Sequence, residues 1–246
     1  MEGGHADQNR IREGVVVPTR GKVQVATAER MSGLKSILFD MDGVIVDSMR
    51  QHAECWIRVF NDYGVTLSIG DIYMREGMSG IGSIIDIFRS KGQDIPSPDE
   101  MKRLQERKLE LFERYPIAVY PGVDGMLEFL SGKGIVLGLV TGSLRRSVHY
   151  VLPESIQRRF ASIITVDDIK NGKPHPEPYL KALEEVGFPP EEALVIENAP
   201  LGITSAKLAG LRCFALTTTL EAERLTEADR IFSSHRELDV YFRDEF

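Results

Sequence analysis

The sequence is poor in the residues that build cross-linked or cysteine-coordinated proteins. It has two cysteines in 246 residues, Cys55 and Cys213, and neither belongs to a Cys-x-x-Cys pair. This pattern predicts neither a disulfide framework nor a cysteine-ligated metal cluster, and it is typical of the reducing cytoplasm. Residues 1–33 also lack a long apolar run, since the longest is Val15-Val16-Val17. We therefore predict a cytoplasmic protein without a secretory signal or a membrane partner.

An excess of positive charge is absent as well. The chain has 30 Lys and Arg residues against 37 Asp and Glu residues, which gives a formal net charge of −7. Without a positive field, nucleic acids and anionic membranes are poor partner candidates, and small ligands are the better expectation. Hydrophobic residues make up 42% and charged residues 27% of the chain, as in a globular protein with a sizeable core.

Residues 1–33 precede the first strong apolar pattern, and we assign them to an N-terminal extension. Two interpretations of this segment remain open. Val15-Val16-Val17 and Lys22-Val23-Gln24-Val25 flank the turn-forming Pro18-Thr19-Arg20-Gly21, which is compatible with a β-hairpin. The alternative is a frayed leader without regular structure.

From Leu34 onward, short apolar runs alternate with amphipathic segments of helix length. The predicted strands cover residues 36–39, 135–140, 162–165, 193–196 and 213–216. The predicted helices that alternate with the later strands cover residues 124–132, 177–186, 201–209 and 220–227. Because the strand runs are continuously apolar rather than alternating, both faces of each strand should be buried. The pattern predicts an α/β fold with a parallel sheet between layers of helices.

One stretch interrupts this alternation. Residues 50–115 contain helical patterns at 52–63, 81–91 and 98–115 and no convincing strand. We interpret them as a helical cap inserted into a core formed by residues 34–49 and 116–246. Tyr115-Pro116 and Tyr120-Pro121-Gly122 mark the return to the core, because proline and glycine punctuate regular structure.

Polar residues follow four of the predicted strands, where a parallel sheet presents its ligand-binding edge. Taken singly, each has an ordinary explanation as a turn, a helix cap or a solvated lysine, but four such groups at successive strand ends favour one site. They are Asp40 and Asp42, Thr141 and Gly142, Lys173 in a proline-stiffened loop, and Glu197 with Asn198.

These residue types suit phosphate chemistry. An ionised carboxylate such as Asp40 can attack phosphorus and form an aspartyl-phosphate, although it must first overcome repulsion by the charge of the phosphate. Magnesium relieves that repulsion and prefers oxygen ligands. The hydroxyl of Thr141, the open backbone at Gly142 and the charge of Lys173 are suited to holding phosphoryl oxygens.

Together, the motifs resemble those of the haloacid dehalogenase-like hydrolases, in the branch of β-phosphoglucomutase and phosphoglycolate phosphatase. The similarity runs from about residue 34 to 232. Motif one is Phe39-Asp40-Met41-Asp42-Gly43-Val44, Thr141 is motif two, Lys173 is motif three and Glu197-Asn198 is motif four. The resemblance implies a Rossmann-like parallel core flanked by helices, with an inserted helical cap domain.

The resemblance also implies roles for individual residues. Asp40 would be the nucleophile and Asp42 the general acid/base. Mg²⁺ would be held by Asp40, the backbone carbonyl of Asp42 and Asn198. Glu197 would support these ligands without binding the ion directly. The residues expected to bind the phosphoryl group or substrate are Gly43, Thr141, Gly142, Lys173, His52 and Trp56. For His52 and Trp56, which are i and i+4 on one helix, shared packing is the alternative explanation.

Two features depart from the family pattern. Asn198 stands where an acid is usual, so motif four keeps an oxygen ligand but loses a charge, which predicts weaker metal binding. The segment Glu76-Gly77-Met78-Ser79-Gly80 resembles the substrate loop of the mutases but lacks the basic residues that typically bind the second phosphate of a sugar, which argues against a bisphosphate mutase. Our leading hypothesis is a Mg²⁺-dependent phosphatase of a sugar phosphate or similar metabolite. The alternatives are a sugar-phosphate mutase and a catalytically weak, phosphate-binding regulatory protein.

Overall fold

The computed structural model describes Met31 and residues 33–246. The hairpin or frayed leader considered for the N-terminal extension lies outside the described residues. Met31 is buried in the hydrophobic core. In the described part of the chain, no helix combines the length and the apolar character needed to cross a bilayer.

Strands and helices alternate along most of the described chain. The strands are β1 (Ser36–Phe39), β2 (Val46–Asp47), β3 (Ala118–Val119), β4 (Val136–Val140), β5 (Ser162–Ile164), β6 (Ala193–Glu197), β7 (Arg212–Leu216) and β8 (Arg230–Phe232). The helices are α1 (Met49–Asn61), α2 (Ile69–Tyr73), α3 (Gly80–Ser90), α4 (Pro98–Phe112), α5 (Val123–Gly132), α6 (Arg145–Val151), α7 (Glu154–Gln157), α8 (Glu177–Val186), α9 (Pro200–Leu208) and α10 (His235–Glu245).

The core is a six-stranded parallel sheet in the order β5-β4-β1-β6-β7-β8. Every residue of the central strand β1 is buried. Ile37 and Phe39 pack into one hydrophobic cluster, and Leu38 packs into a second cluster on the other face, as the alternation of side chains along a strand requires. The α/β fold with a parallel, helix-flanked sheet is thus confirmed.

The stretch between β2 and β3 is helical, as its sequence pattern predicts. Helices α2 and α4 begin with capping boxes in which Ser68 and Ser97 pair with Asp71 and Glu100. α1 packs against α2 and α4. The extent of the cap, residues 50–115, remains our proposal. β2 and β3 pair with each other in antiparallel fashion, and they escaped prediction because two residues carry no periodicity.

The prediction of a helix over residues 220–227 is wrong. This segment contains only a single 3₁₀ turn at Ala222–Arg224, and Leu225 is its one buried apolar anchor. The sequence pattern also missed β8 and α10. β8 is a short strand at the sheet edge, and α10 buries only Leu238 and Phe242 among charged residues, so neither produces a strong periodic signal.

Helix α9 approaches the end of β6 unusually closely. Glu197, the last residue of β6, accepts hydrogen bonds from the backbone N–H groups of Asn198 and Ala199 through Oε2. A Cβ atom on Gly202, in the first turn of α9, would overlap the carboxyl group of Glu197. The glycine therefore makes room for this carboxylate at the helix start.

We expect Gly202→Ala to lower the free energy of unfolding by about 1–3 kcal/mol, because the added methyl group overlaps Glu197. Alanine ordinarily favours a helix over glycine by about 0.5–1 kcal/mol, so the sign is opposite to the usual one. Gly125→Ala in α5, where a Cβ meets open space, is the matched control and should be stabilising. Urea denaturation measures the free energy of unfolding of both variants. Equal stabilisation by the two changes would contradict the close contact between Gly202 and Glu197.

Candidate active site

The parallel register brings the polar strand ends together at one edge of the sheet. Phe39 of β1 is in register with Leu139 of β4 and Ile196 of β6. The chain therefore leaves the three strands at the same level, and the side chains beyond the strand ends meet. The predicted residues that line one cavity are Asp40, Asp42, His52, Trp56, Thr141 and Gly142.

Lys173 joins the ends of three strands. Its Nζ donates hydrogen bonds to Oδ1 of Asp40 at 2.6 Å, to Oε1 of Glu197 at 2.7 Å and to the carbonyl oxygen of Val140 at 3.1 Å. Burial alone would lower the pKa of Lys173, but the two carboxylates outweigh this effect and raise it. Lys173 is therefore a permanent cation beneath the cavity, with its three donors used.

Asp40 is held on one side and open on the other. Lys173 contacts Oδ1, whereas Oδ2 forms no hydrogen bond within the described residues, and Asp40 lines the cavity. Burial raises the pKa of Asp40, and the carboxylates of Glu197 and Asp42 add to this effect, whereas Lys173 opposes it. A nucleophilic role requires the ionised form, so Asp40 depends on Lys173 and on any further cation near it.

Both oxygens of Glu197 are already engaged. Oε1 accepts hydrogen bonds from Lys173 and from the hydroxyl of Tyr179 at 2.8 Å, and Oε2 accepts the two backbone N–H groups at the start of α9. Glu197 is buried and does not line the cavity. In this arrangement it acts on the site through Lys173 and the backbone.

Asp42 is fixed by three side-chain donors. Its Oδ1 accepts from the hydroxyl of Ser48 at 2.6 Å and from Nε2 of His52 at 3.0 Å, and its Oδ2 accepts from the hydroxyl of Ser143 at 2.9 Å. Burial alone would raise the pKa of Asp42, but His52 and the three hydrogen bonds hold it well below its usual range. The carboxylate is therefore ionised and oriented before substrate binds.

Lys108 of α4 extends this chain of contacts and was not predicted. Its Nζ lies 2.5 Å from Nδ1 of His52. Because a charged ammonium only donates, Nδ1 accepts and the ring proton lies on Nε2, from which it is donated to Asp42. The ring of Phe112 stacks on His52 and lies beneath Lys108. The sequence could have indicated this residue, because Lys108 lies four positions from both Leu104 and Phe112 on the apolar face of α4.

The cavity is open to solvent and is lined by both the sheet edge and the helical region. It spans about 780 Å³ when the open mouth is included. Two basic side chains from the helical region, Arg75 and Lys108, line it, and Arg75 is oriented by a hydrogen bond from its Nε to Asp86 at 2.8 Å. Residues 76–80 themselves contain no basic residue, and these two basic side chains come from outside that segment, so the argument against a bisphosphate mutase stays a prediction.

Gly43 does not lie where phosphate binding was predicted. Its backbone N–H donates to the carbonyl oxygen of Val46 at 2.8 Å, and it is absent from the residues that line the cavity. Its φ of 82° favours glycine, and a Cβ there would overlap the side-chain amide of Asn198. Gly43 therefore shapes the turn and makes room for Asn198, and its amide is not available to phosphate.

Residues 76–78, which we call the cap loop, are seated directly on the sheet edge. A Cβ on Gly142 would lie 2.6 Å from the carbonyl oxygen of Gly77, so the two backbones touch. This contact buries Glu76. Its Oε1 lies 2.5 Å from Nδ2 of Asn198, and its Oε2 has no hydrogen-bond partner in the described part of the chain. Burial raises the pKa of Glu76 well above its usual range, as do the carboxylates of Asp40, Glu197 and Asp42, against the Asn198 hydrogen bond.

The oxygen atoms near Asn198 fit a magnesium ion. In the described residues, no group of three or more His, Cys, Asp or Glu side chains is spaced as a metal site. A mixed set is present, however: the carboxylate of Asp40, the backbone oxygen of Asp42, and Oδ1 of Asn198. Nδ2 of Asn198 donates to that backbone oxygen at 3.1 Å, and its Oδ1 is buried without a partner among the described residues. Hard oxygen donors of this kind are the ligands that Mg²⁺ prefers.

Comparisons with known proteins point to one family. The profile described as haloacid dehalogenase-like hydrolase matches residues 37–216. A validoxylamine A 7'-phosphate phosphatase from Streptomyces hygroscopicus subsp. limoneus is 32% identical over 79% of this chain and 91% of its own. A phosphorylated carbohydrates phosphatase from Thermotoga maritima is 30% identical over 80% and 93%. A solved Bacteroides vulgatus structure, assigned as a beta-phosphoglucomutase, is 36% identical with a TM-score of 0.77, covering 86% and 88%.

The buried Lys108 predicts a pH-dependent effect on stability. Burial lowers its pKa from 10.5 to about 8, so the unfolded chain retains this proton over a pH range in which the folded protein has lost it. Stability attributable to Lys108 should therefore rise between pH 8 and 10.5. At pH 7 we expect Lys108→Met to raise the free energy of unfolding by up to about 3 kcal/mol, with a smaller gain at pH 9.5.

Urea denaturation of the parent and the variant at both pH values measures this difference. Lys102→Met, at an exposed position of the same helix, is the control and should change little. A Lys108→Met protein that is less stable at both pH values would show that the contact with His52 outweighs the cost of burying the charge.

Proposed function

The chain belongs to the haloacid dehalogenase-like hydrolase family and is a phosphohydrolase, and on this premise we propose that it is a magnesium-dependent phosphatase of sugar phosphates or similar small metabolites. The reaction proceeds through an aspartyl-phosphate on Asp40. One observation carries the proposal: a buried carboxylate has one oxygen fixed by Lys173 and the other free at the floor of a cavity.

Asp40 attacks phosphorus through its free oxygen. Lys173 favours the ionised carboxylate and also offsets part of the charge of the incoming phosphate. The hydroxyl oxygen of Thr141 accepts the N–H of Ser143 at 3.0 Å, which leaves the hydroxyl hydrogen to donate to a phosphoryl oxygen. Gly142 lines the cavity beside it, and we assign both residues to binding of the phosphoryl group.

Asp42 moves the protons. The negative charge of a bound phosphate raises its pKa, so Asp42 takes up a proton with the substrate and donates it to the leaving alcohol. The resulting carboxylate then removes a proton from the water that hydrolyses the aspartyl-phosphate. Ser48, His52 and Ser143 hold the carboxylate in one orientation through both steps.

Mg²⁺ would be held by Asp40, the backbone oxygen of Asp42 and the amide oxygen of Asn198. When bound, the ion neutralises charge on the phosphoryl oxygens and so lowers the repulsion between phosphate and nucleophile. The residues themselves support this assignment through the unpartnered Oδ1 of Asn198. The buried carboxylates of Asp40, Asp42, Glu76 and Glu197 also outnumber the two buried lysines among the described residues.

The cavity and the relatives together indicate the substrate class. The cavity lining offers an apolar face at Trp56 and positive charge at Arg75 and Lys108, which suits a polar substrate such as a phosphorylated carbohydrate. Two relatives are named as phosphatases of phosphorylated compounds, one of them of carbohydrates. The two basic groups also favour a second candidate, a sugar-phosphate mutase, as in the name of the Bacteroides vulgatus protein.

Turnover of p-nitrophenyl phosphate tests the proposed function. We expect hydrolysis in the presence of Mg²⁺, loss of activity on adding EDTA, and loss of activity in Asp40→Asn. Asp94→Asn, which makes the same change at an exposed position, should hydrolyse the ester at the parent rate. Equal background rates for the parent and Asp40→Asn would favour a phosphate-binding regulatory protein. Formation of a sugar 6-phosphate from a sugar 1-phosphate, without net release of phosphate, would favour the mutase.

The role of Asp42 predicts a dependence on the leaving group. Asp42→Asn should slow hydrolysis of an alkyl phosphate by about 10²–10⁴-fold, because the alkoxide leaves poorly without a proton. Hydrolysis of p-nitrophenyl phosphate should suffer less, since nitrophenolate leaves without help. Steady-state rates for both esters check this, and an equal loss for the two would contradict proton donation by Asp42.

A further inference from the structure

We propose that Glu76 of the cap loop is a ligand of the Mg²⁺ ion and supplies the negative charge that Asn198 does not. The inference rests on the proposed function, because it concerns the metal of that same site. It assigns a direct role in metal binding to a residue on the helical side of the cavity, whereas the other ligands belong to the sheet edge.

Glu76 lies in the right position for this role. It is 6% exposed, and its Oε1 lies 2.5 Å from Nδ2 of Asn198. The same Nδ2 lies 3.1 Å from the backbone oxygen of Asp42. The carboxylate thus converges on the same amide as a backbone oxygen that we assign to the ion. Three oxygen-bearing groups from separate parts of the chain therefore meet at one point.

Unsatisfied atoms mark this point as incomplete. Oε2 of Glu76 and Oδ1 of Asn198 are both buried and lack hydrogen-bond partners within the described residues. A buried polar atom without a partner costs about 1–3 kcal/mol, and a buried charge without a counter-charge costs more. A divalent cation held by the carboxylate of Glu76 and the amide oxygen of Asn198 would give both residues a partner and would balance the charge.

The backbone holds Glu76 there. Gly77 has a φ of 86°, and a Cβ on it would lie 3.1 Å from Cδ of Lys173, so a larger residue would lift the cap loop from the sheet edge. Gly142 permits the backbone contact from the other side. The carboxylate is therefore presented by a closely fitted loop rather than by a long side chain that happens to reach the site.

A plain latch is the competing explanation, in which Glu76 serves only to accept a hydrogen bond from Asn198. The two roles differ in their need for charge. A neutral amide at position 76 still accepts that hydrogen bond, so a latch tolerates Glu76→Gln. A metal ligand does not, because the loss of a carboxylate removes the charge that offsets dehydration of the ion.

The experiment measures Mn²⁺ binding, as a paramagnetic substitute for Mg²⁺, from the electron paramagnetic resonance of free Mn²⁺ without substrate. We expect Glu76→Gln to weaken binding by at least about tenfold, the lower end of the effect of groups that support a metal site. Glu110→Gln is the control for loss of one charge, since Glu110 is an exposed residue that pairs with Arg107 on the surface, and this variant should bind Mn²⁺ as the parent does. The Tm of Glu76→Gln in EDTA should be no lower than that of the parent.

A second substitution decides between a direct and an indirect effect. Asn198→Asp restores a carboxylate to motif four, so the double variant Glu76→Gln/Asn198→Asp should recover most of the lost Mn²⁺ affinity. Equal affinities of the parent and Glu76→Gln, or no recovery in the double variant, would overturn the assignment. Asp40-dependent hydrolysis by the parent is measured separately, so either result leaves the proposed phosphatase activity standing.

Discussion

The ion pairs of Lys173 are the interaction on which the rest of the site depends. One ammonium group joins the end of β4 through Val140, the end of β1 through Asp40 and the end of β6 through Glu197. Burying these charges costs several kcal/mol per ion, which is recovered only if the geometry is good and every donor is used. The same contacts fix Asp40, the nucleophile that we propose, so a single interaction holds both the edge of the sheet and this carboxylate.

Around this lysine, glycines permit the close contacts that hold the site together. Gly202 admits the carboxylate of Glu197, Gly43 admits the amide of Asn198, and Gly142 admits the backbone of Gly77. Each of these contacts brings a polar group closer to its neighbour than any other residue type would allow. The result is a dense cluster of carboxylates with little cationic charge in the protein itself, an arrangement that suits a bound divalent ion and an anionic substrate.

Features set by local sequence patterns could be predicted, whereas features set by tertiary packing could not. The strands that carry Asp40, Thr141 and Glu197 were recognisable because both their faces are buried, which leaves continuous apolar runs. The parallel arrangement then implied that their ends meet. Glu76 could not be recognised in this way, because it lies in an irregular loop. The error at Gly43 arose because motif similarity gives no information on which backbone N–H groups a turn has already used.

The pairing of β2 with β3 constrains the movement of the helical region. Val46 pairs with Val119 and Asp47 with Ala118, and the N–H of Tyr120 donates to the carbonyl oxygen of Ile45. These are the two connections between the helices and the sheet, and they are hydrogen-bonded to each other. They must therefore bend as one ribbon, so a rigid swing about a common axis preserves these bonds, whereas sliding or independent twisting of either connection breaks them.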